Sequence, residues 1–320
     1  MGDTETIPVP AWPDYFADPF VWEWGGDYFA IGTGPREAAG AMAGEPCVFP
    51  LLRSRDLQHW EAAGAALERP DPALGGNFWA PEVAPAHGRF WLYYSVGFGD
   101  QLHQIRVAVA DHPLGPYRDA RETALVAPLD PPFAIDPHPF YDAAEEAWLL
   151  FYARDRLDGP RPGTALMVDR LVAMDRVAGE PREVLRARHD WQRFQRHRPR
   201  YGGIWDWHTL EGPCVRRHEG RLFCFYSGGR WENASYGVDV VEADTALGPY
   251  HETGEASRAR VLHTVPGRLI GPGHNAIVTG PDGRDWIAYH AWDAGMTARR
   301  MFLEPLLWTP AGPRCAHEAE

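Results

Sequence analysis

DPFVWEWGGDYFAIGT, running from Asp18 to Thr33, is the stretch that decides the fold. It opens on an acid, runs apolar, turns at Gly25-Gly26 and returns through an aromatic-rich strand, which is the pattern of a β-hairpin. Four further stretches repeat it: PEVAPAHGRFWLYYSV from Pro81, DPHPFYDAAEEAWLLFYARD from Asp136, EGPCVRRHEGRLFCFYSGG from Glu211 and HNAIVTGPDGRDWIAYHAW from His274. Taking Asp18, Glu82, Asp136, Glu211 and His274 as leading residues, the spacings are 64, 54, 75 and 63. Such a unit exceeds the roughly 40–50 residues of familiar propeller repeats and leaves room for four strands with their loops. VAVADHPLGPY ending at Tyr117 and VDVVEADTALGPY ending at Tyr250 each supply a third strand and the turn after it. A solenoid would repeat with a shorter and more regular period. The expectation is an all-β, five-bladed β-propeller forming a single domain over residues 1–320, with blade starts near 18, 82, 136, 211 and 274. The strand 301–310 is expected to close the ring against residues before Asp18. Because the innermost strand of every blade approaches the axis, the five starts should meet at one mouth of the channel.

Composition agrees with this class. Of 320 residues 45% are hydrophobic and 12% aromatic, enough for a large core, while 30 Pro and 33 Gly are spread along the chain as punctuation for many short strands. A net charge of −13 argues against a nucleic-acid groove and for a neutral ligand. No apolar run is long enough for a bilayer span or a signal peptide, so the expectation is no membrane and a cytoplasmic location. Cys47, Cys214, Cys224 and Cys315 show no metal-finger spacing and read as reduced, with Cys214 and Cys224 in the core. The Arg-rich stretch from Arg182 to Arg200 reads as a solvated excursion between strands.

Four of the five convergent positions are carboxylates and the fifth is histidine, a choice no packed β core would favour, since unpaired buried charge is costly. Glycoside hydrolysis needs two carboxyls across the scissile bond, one protonated and one ionised, and a third negative group can keep the acid protonated. Phe78 and Trp79 before the second start, and Trp207 before the fourth, are candidates for the aromatic wall of a sugar pocket. Glu82 and Arg299 are candidates for hydroxyl contacts.

In order along the chain, ADPF around Asp18, RSRDLQHW from Arg53, FWAPEV from Phe78, IDPHPF around Asp136, LEGP around Glu211, GPGHNA around His274 and RRMFLEPLLW from Arg299 resemble glycoside hydrolase family 43. The resemblance covers nearly the whole chain. It implies a five-bladed propeller and an inverting mechanism, with Asp18 as general base, Glu211 as general acid and Asp136 as modulator of the acid's pKa. It further implies that His274 faces a central-channel ion, often calcium, through water; a structural histidine bonded to a neighbouring carboxylate is the alternative. No cofactor is expected to be required. A retaining fructosidase is disfavoured because the Asn-Asp-Pro-Asn-Gly context is missing around Asp18, and a phosphorylase because no basic pocket is evident among the starts. The expected activity is exo-acting removal of a terminal pentose, α-L-arabinofuranose first, from short oligosaccharides. β-Xylosidase and β-galactosidase activity are the alternatives within the family, and a non-catalytic glycan-binding propeller is the alternative outside it.

Overall fold

The computed structural model describes residues 8–35, 46–126, 129–254 and 256–318. The chain is an all-β propeller. Its strands form five sheets, which follow one another along the sequence. The first runs from Ala17–Trp24 through Asp27–Thr33 and Cys47–Ser54 to Trp60–Glu68. The second comprises Asn77–Ala86, Arg89–Phe98, Gln101–Ala110 and Arg118–Asp119. The third is built on Ala134–Asp142, Ala147–Arg156 and Gly163–Ala173, extended by Arg176–Val177, Arg182–Leu185, Arg193–Arg200 and Gly203–His208. The fourth comprises Leu210–His218, Arg221–Gly228, Gly237–Ala243 and His251–Glu252, and the fifth Ile270–Thr279, Asp285–Trp292, Arg299–Thr309 and Gly312–Cys315.

The first strand of each sheet touches the first strand of the next, and that of the fifth sheet touches that of the first. These strands carry no exposed side chain over most of their length, because they are covered on both faces. The second strands show why their sequences are nearly continuous apolar runs. Side chains alternate between faces in a strand, so Leu149, Phe151 and Ala153 enter the core between the third and fourth sheets, whereas Leu150 and Tyr152 enter the core between the second and third. Tyr93 and Tyr94 likewise serve different cores. Cys214 packs between the fourth and fifth sheets and Cys224 between the third and fourth, so two neighbouring-strand cysteines face apart and both are free thiols.

The repeated LGPY phrase does the same work twice: the Tyr117 hydroxyl donates to the Pro113 carbonyl and the Tyr250 hydroxyl to the Ala246 carbonyl, both at 2.9 Å. The strand Arg299–Thr309 pairs along its length with Asp285–Trp292 and then with Gly312–Cys315. Among the described residues before Asp18, the Ala11, Trp12 and Phe16 amides donate to the Met301 and Arg299 carbonyls of this strand.

The Arg182–Arg200 stretch departs from its reading as a solvated excursion. It supplies two extra antiparallel strands to the third sheet, and although Arg196 is exposed, Arg200 is buried in an ion pair with Asp155 at 2.9 Å. Charged residues that leave water in this way need counter-charges at hand, and Asp100 and Asp155 provide them from distant parts of the chain.

Candidate active site

Each first strand breaks register with its partner at the same place. The last paired residues before the break are Ala17 with Thr33, Trp79 with Ser95, Ile135 with Ala153, Glu211 with Ser227 and Gly273 with His290. The next residue is left-handed in every case: Asp18 at φ 49°, Ala80 at 46°, Asp136 at 57°, Gly212 at 55° and His274 at 50°. Bulges of this kind re-aim side chains next to active sites. In the first four strands proline follows, at Pro19, Pro81, Pro137 and Pro213, where the broken ladder leaves no call for an N–H. Register therefore corrects the equivalence drawn from the sequence: Ala80 and Gly212 occupy the places assigned to Glu82 and Glu211, which lie two residues after and one residue before them.

The amide of each left-handed residue needs an acceptor. Ala80 donates to Thr33 Oγ1 at 3.0 Å, Asp136 to Ser95 Oγ at 3.0 Å, His274 to Ser227 Oγ at 2.7 Å and Asp18 to His290 Nδ1 at 3.0 Å. These acceptors stand at equivalent positions on the preceding sheet's second strand. In the third sheet that position is Ala153, which has nothing to offer, and the Gly212 amide turns instead to Asp136 Oδ2 at 2.9 Å. The missing hydroxyl thus ties one acidic side chain to the strand that carries another.

Asp18, Asp136, Glu211, His274, Arg299 and Trp79 line one open cavity, together with Ile135 and Trp231. Burial alone would raise the Asp18 carboxyl. The Arg299 guanidinium, 3.4 Å from Oδ1, overcomes that effect and holds the group well below the usual carboxylate range. His290, lowered to about 4 by burial, is neutral and accepts the Asp18 amide at Nδ1, so its 3.3 Å approach to the carboxylate is a contact and not a second hydrogen bond. Arg299 is itself fixed by two donations to the Tyr15 hydroxyl, at 3.1 and 2.7 Å, and by the Trp231 ring 4.5 Å from its Cζ.

Glu211 behaves oppositely. Burial raises it, the Tyr236 hydroxyl donating at 2.7 Å pulls it partly back, the Asp18 charge pushes it up, and it settles at about 7. Asp136 is also raised well above its ordinary value, by burial first and then by Glu211 and Asp18. The cavity therefore holds one carboxyl that stays ionised and two that resist ionisation. His274 is lowered by burial; its Nδ1 lies 3.5 Å from Asp18 and 3.8 Å from Asp136. Among the described residues no three His, Cys, Asp or Glu side chains are grouped to hold an ion. Calcium takes six to eight oxygen ligands, and with the Arg299 cation already against Asp18 the surroundings of His274 do not fit direct coordination.

The remaining sequence candidates lie elsewhere. Phe78 is core, packed edge-on against Phe49 and stacked on Tyr94, because strand alternation turns it away from the side Trp79 faces. Glu82 lies outside the cavity lining and accepts from His138 Nδ1 at 2.7 Å, while His138 Nε2 accepts the Val215 amide. Trp207 is buried and lines a second cavity adjoining the first. Sequence reasoning missed Trp231, Tyr236, His290 and Tyr15. Only Trp231 carried a signal, as an aromatic just beyond the Gly228-Gly229 strand end; the others sit in ordinary strand or loop context.

A propeller whose channel mouth gathers one carboxyl held ionised and two that resist ionisation between tryptophans is a carbohydrate-cleaving hydrolase by class. The chain belongs to glycosyl hydrolases family 43, whose family model matches residues 7–313, and it is a glycoside hydrolase of that inverting family. It is 26% identical over 303 residues to a β-D-galactofuranosidase of Aspergillus niger, covering 91% of this chain and 78% of that protein. It is 25% identical to an extracellular exo-α-(1→5)-L-arabinofuranosidase of Cellvibrio japonicus, with 87% and 79% covered. Among solved structures, a thermostable family-43 glycoside hydrolase superposes with a TM-score of 0.77 at 23% identity, covering 97% of this chain and 96% of that one.

Proposed function

We propose that this hydrolase removes a terminal pentose, α-L-arabinofuranose first, from short oligosaccharides, and that it does so on five blades with Asp18 as base, Glu211 as acid and Asp136 as modulator. The observation that carries the roles is the division of charge in one cavity: Asp18 clamped ionised by Arg299, Glu211 raised to about 7. In this reading Glu211 gives its proton to the glycosidic oxygen as the C–O bond breaks, and Asp18 takes a proton from the water that attacks the anomeric carbon from the opposite face. A weakly basic Asp18 suffices, because the water becomes acidic only as it bonds to an oxocarbenium-like carbon. Asp136 works through Glu211: its Oδ2 accepts the Gly212 amide at 2.9 Å and so positions the strand that carries the acid, while burial and the Asp18 charge keep that acid protonated.

Blade number is supported by the circuit of first-strand contacts and by the matching register breaks in all five. A furanoside substrate is supported by relatives of two kinds, a galactofuranosidase and arabinofuranosidases. β-Xylosidase activity is the second reading, supported by a xylosidase/arabinosidase of Humicola insolens that is 31% identical over 80 residues. The test is a screen of p-nitrophenyl α-L-arabinofuranoside, β-D-xyloside and β-D-galactoside, with the first-formed anomer read by NMR. Preference for the arabinofuranoside with inversion is expected. A preference for the xyloside would replace the substrate; near-normal turnover of these glycosides by Asp18→Ala, or of an oligosaccharide whose leaving group needs a proton by Glu211→Ala, would overturn the roles. Activity is expected to survive a chelator, since no step above uses an ion.

A further inference from the structure

The first residue to regain its partner after each break is, in chain order, Phe20, Glu82, His138, Cys214 and Ala276. The frame has no need of an ionisable pair at this level, since phenylalanine, cysteine and alanine serve in three of the five strands. Glu82 and His138 are nevertheless both buried, each with a side chain only 8% exposed. Polar groups taken out of water are costly unless they are met by partners, so a pair kept here calls for a reason.

Their hydrogen bonds form one chain across three sheets. His138 Nδ1 lies 2.7 Å from Glu82 Oε2, and the Val215 amide donates to His138 Nε2 at 3.0 Å. A ring that accepts at Nε2 carries its proton at Nδ1, so His138 donates to Glu82. Val215 is buried, and a buried amide needs an acceptor; His138 supplies it.

Two residues earlier the same strand of the third sheet makes a matching pair of links. The Asp136 amide donates to Ser95 of the second sheet, and Asp136 Oδ2 accepts the amide of Gly212 in the fourth. Asp136 and His138 thus each tie the third sheet to both its neighbours, at successive levels. The fourth-sheet amides that they hold, Gly212 and Val215, lie one and four residues beyond Glu211. The upper link uses a carboxyl of the cavity, whereas Glu82 and His138 lie outside the lining. Asp18 is held from the fifth sheet instead, by His290 and Arg299.

We propose that His138, held by Glu82, is a positioning residue for the acid: it fixes the strand bearing Glu211 against the strand bearing Asp136, and so sets where Glu211 delivers its proton. Glu82 serves as the acceptor that keeps the His138 proton on Nδ1 and leaves Nε2 open to Val215. The role rests on the assignment of Glu211 as acid.

Asparagine and glutamine separate the two halves of this strut, because asparagine places its amide near the position of a histidine Nδ1 and glutamine near that of Nε2. His138→Asn keeps a donor for Glu82 and loses the acceptor for Val215, whereas His138→Gln keeps that acceptor. Both remove the ring, so the loss of packing is common to the two. Each is compared with wild type on methyl and p-nitrophenyl α-L-arabinofuranoside, or on the matching β-D-xylosides if those are the substrates. Methoxide needs the acid's proton to leave, and p-nitrophenolate needs little. A misplaced acid should lower kcat on the methyl glycoside about ten- to a hundredfold in His138→Asn, with less than about a threefold change on the aryl glycoside, while His138→Gln stays within about threefold of wild type on both. Retained aryl turnover reports that the variants are folded. Equal losses on both glycosides in His138→Asn, or no loss on either, would overturn the strut. A loss confined to the methyl glycoside in His138→Gln would overturn it too, whether or not His138→Asn folds. Glu211→Ala is the control: if it lacks the selective loss on the methyl glycoside, the acid assignment falls and this role with it. If the selective loss appears in Glu211→Ala but not in His138→Asn, the strut alone is refuted.

Discussion

Removing the Tyr236 hydroxyl should move the alkaline edge of activity to higher pH. Tyr236 donates to Glu211 Oε1 at 2.7 Å, and its ring lies parallel to that of His290 at 5.8 Å, so Tyr236→Phe deletes one donor and leaves the packing in place. The bond favours the ionised carboxylate, since an O–H donor stabilises a negative acceptor more than a neutral one. Its loss therefore raises the Glu211 carboxyl above about 7. A net difference of about 1–2 kcal/mol between the two protonation states corresponds to roughly one pKa unit, so the edge should shift from near 7 to near 8. If Glu211 is the acid it works in its protonated form, so activity above pH 7 should rise relative to the maximum, while below pH 6 the two enzymes should match to within severalfold. The assay is kcat/KM against pH on an oligosaccharide or alkyl glycoside, because a p-nitrophenolate leaving group needs little protonation and would hide the effect. An edge that moves to lower pH, or stays within a few tenths of a unit, would refute the assignment of Glu211 as the acid or of Tyr236 as its donor.

Three further variants probe the same cavity. Asp136→Asn keeps an acceptor for the Gly212 amide but removes a carboxyl whose ionisation the fold disfavours; the native deficit is absent below the unfolded value of about 4 and grows as pH rises towards the raised folded value, so its melting temperature should exceed wild type at pH 8 and match it at pH 4, while kcat falls about 10²–10⁴-fold. Gly273→Ala would put a Cβ 1.9 Å from the Tyr236 ring, forcing the tyrosine off Glu211; calorimetry should show a loss of about 1–3 kcal/mol, and kinetics a fall in kcat larger than any change in KM. Ala153→Ser should give the Gly212 amide the kind of acceptor that Ser95 and Ser227 offer elsewhere, releasing Asp136; a crystal structure should show the amide turned to the new hydroxyl, with activity reduced and the melting temperature little changed.

Much of the fold was legible because a strand buried on both faces writes a continuous apolar run, and runs such as WLLFYA from Trp148 can be told from helices by their turn residues and aromatic content. The repeat gave the three carboxyls a common place, and Asp18, Asp136 and Glu211 do line one cavity. What the repeat could not give was register. Bulges shift a strand by one residue without marking the sequence, so Glu82 was aligned with Asp18 although it faces His138, two residues beyond the break. Phe78 and Trp79 were equally plausible by composition, and only alternation decides that the second faces the cavity. The arginines of 193–200 read as surface because sequence shows charge without its partners, and Asp100 and Asp155 lie some 98 and 45 residues away.

The site's asymmetry arises from small departures inside a repeating frame. Five left-handed residues present five amides towards the preceding sheet, and three of those amides are met by a hydroxyl from Thr33, Ser95 or Ser227. The two exceptions are the ones that touch the chemistry. Where His290 replaces the hydroxyl, its neutral ring holds the backbone of Asp18 without adding a charge, so the ionised state of that carboxyl is left to Arg299, which comes from the neighbouring strand of the same fifth sheet. Where Ala153 replaces it, Asp136 must serve the Gly212 amide and is drawn to the strand bearing Glu211, placing two carboxyls where they oppose each other's ionisation. A hydroxyl at all five positions would satisfy the backbone equally well. It would also leave the acids without the unequal surroundings that hold one ionised and raise the others at the same pH.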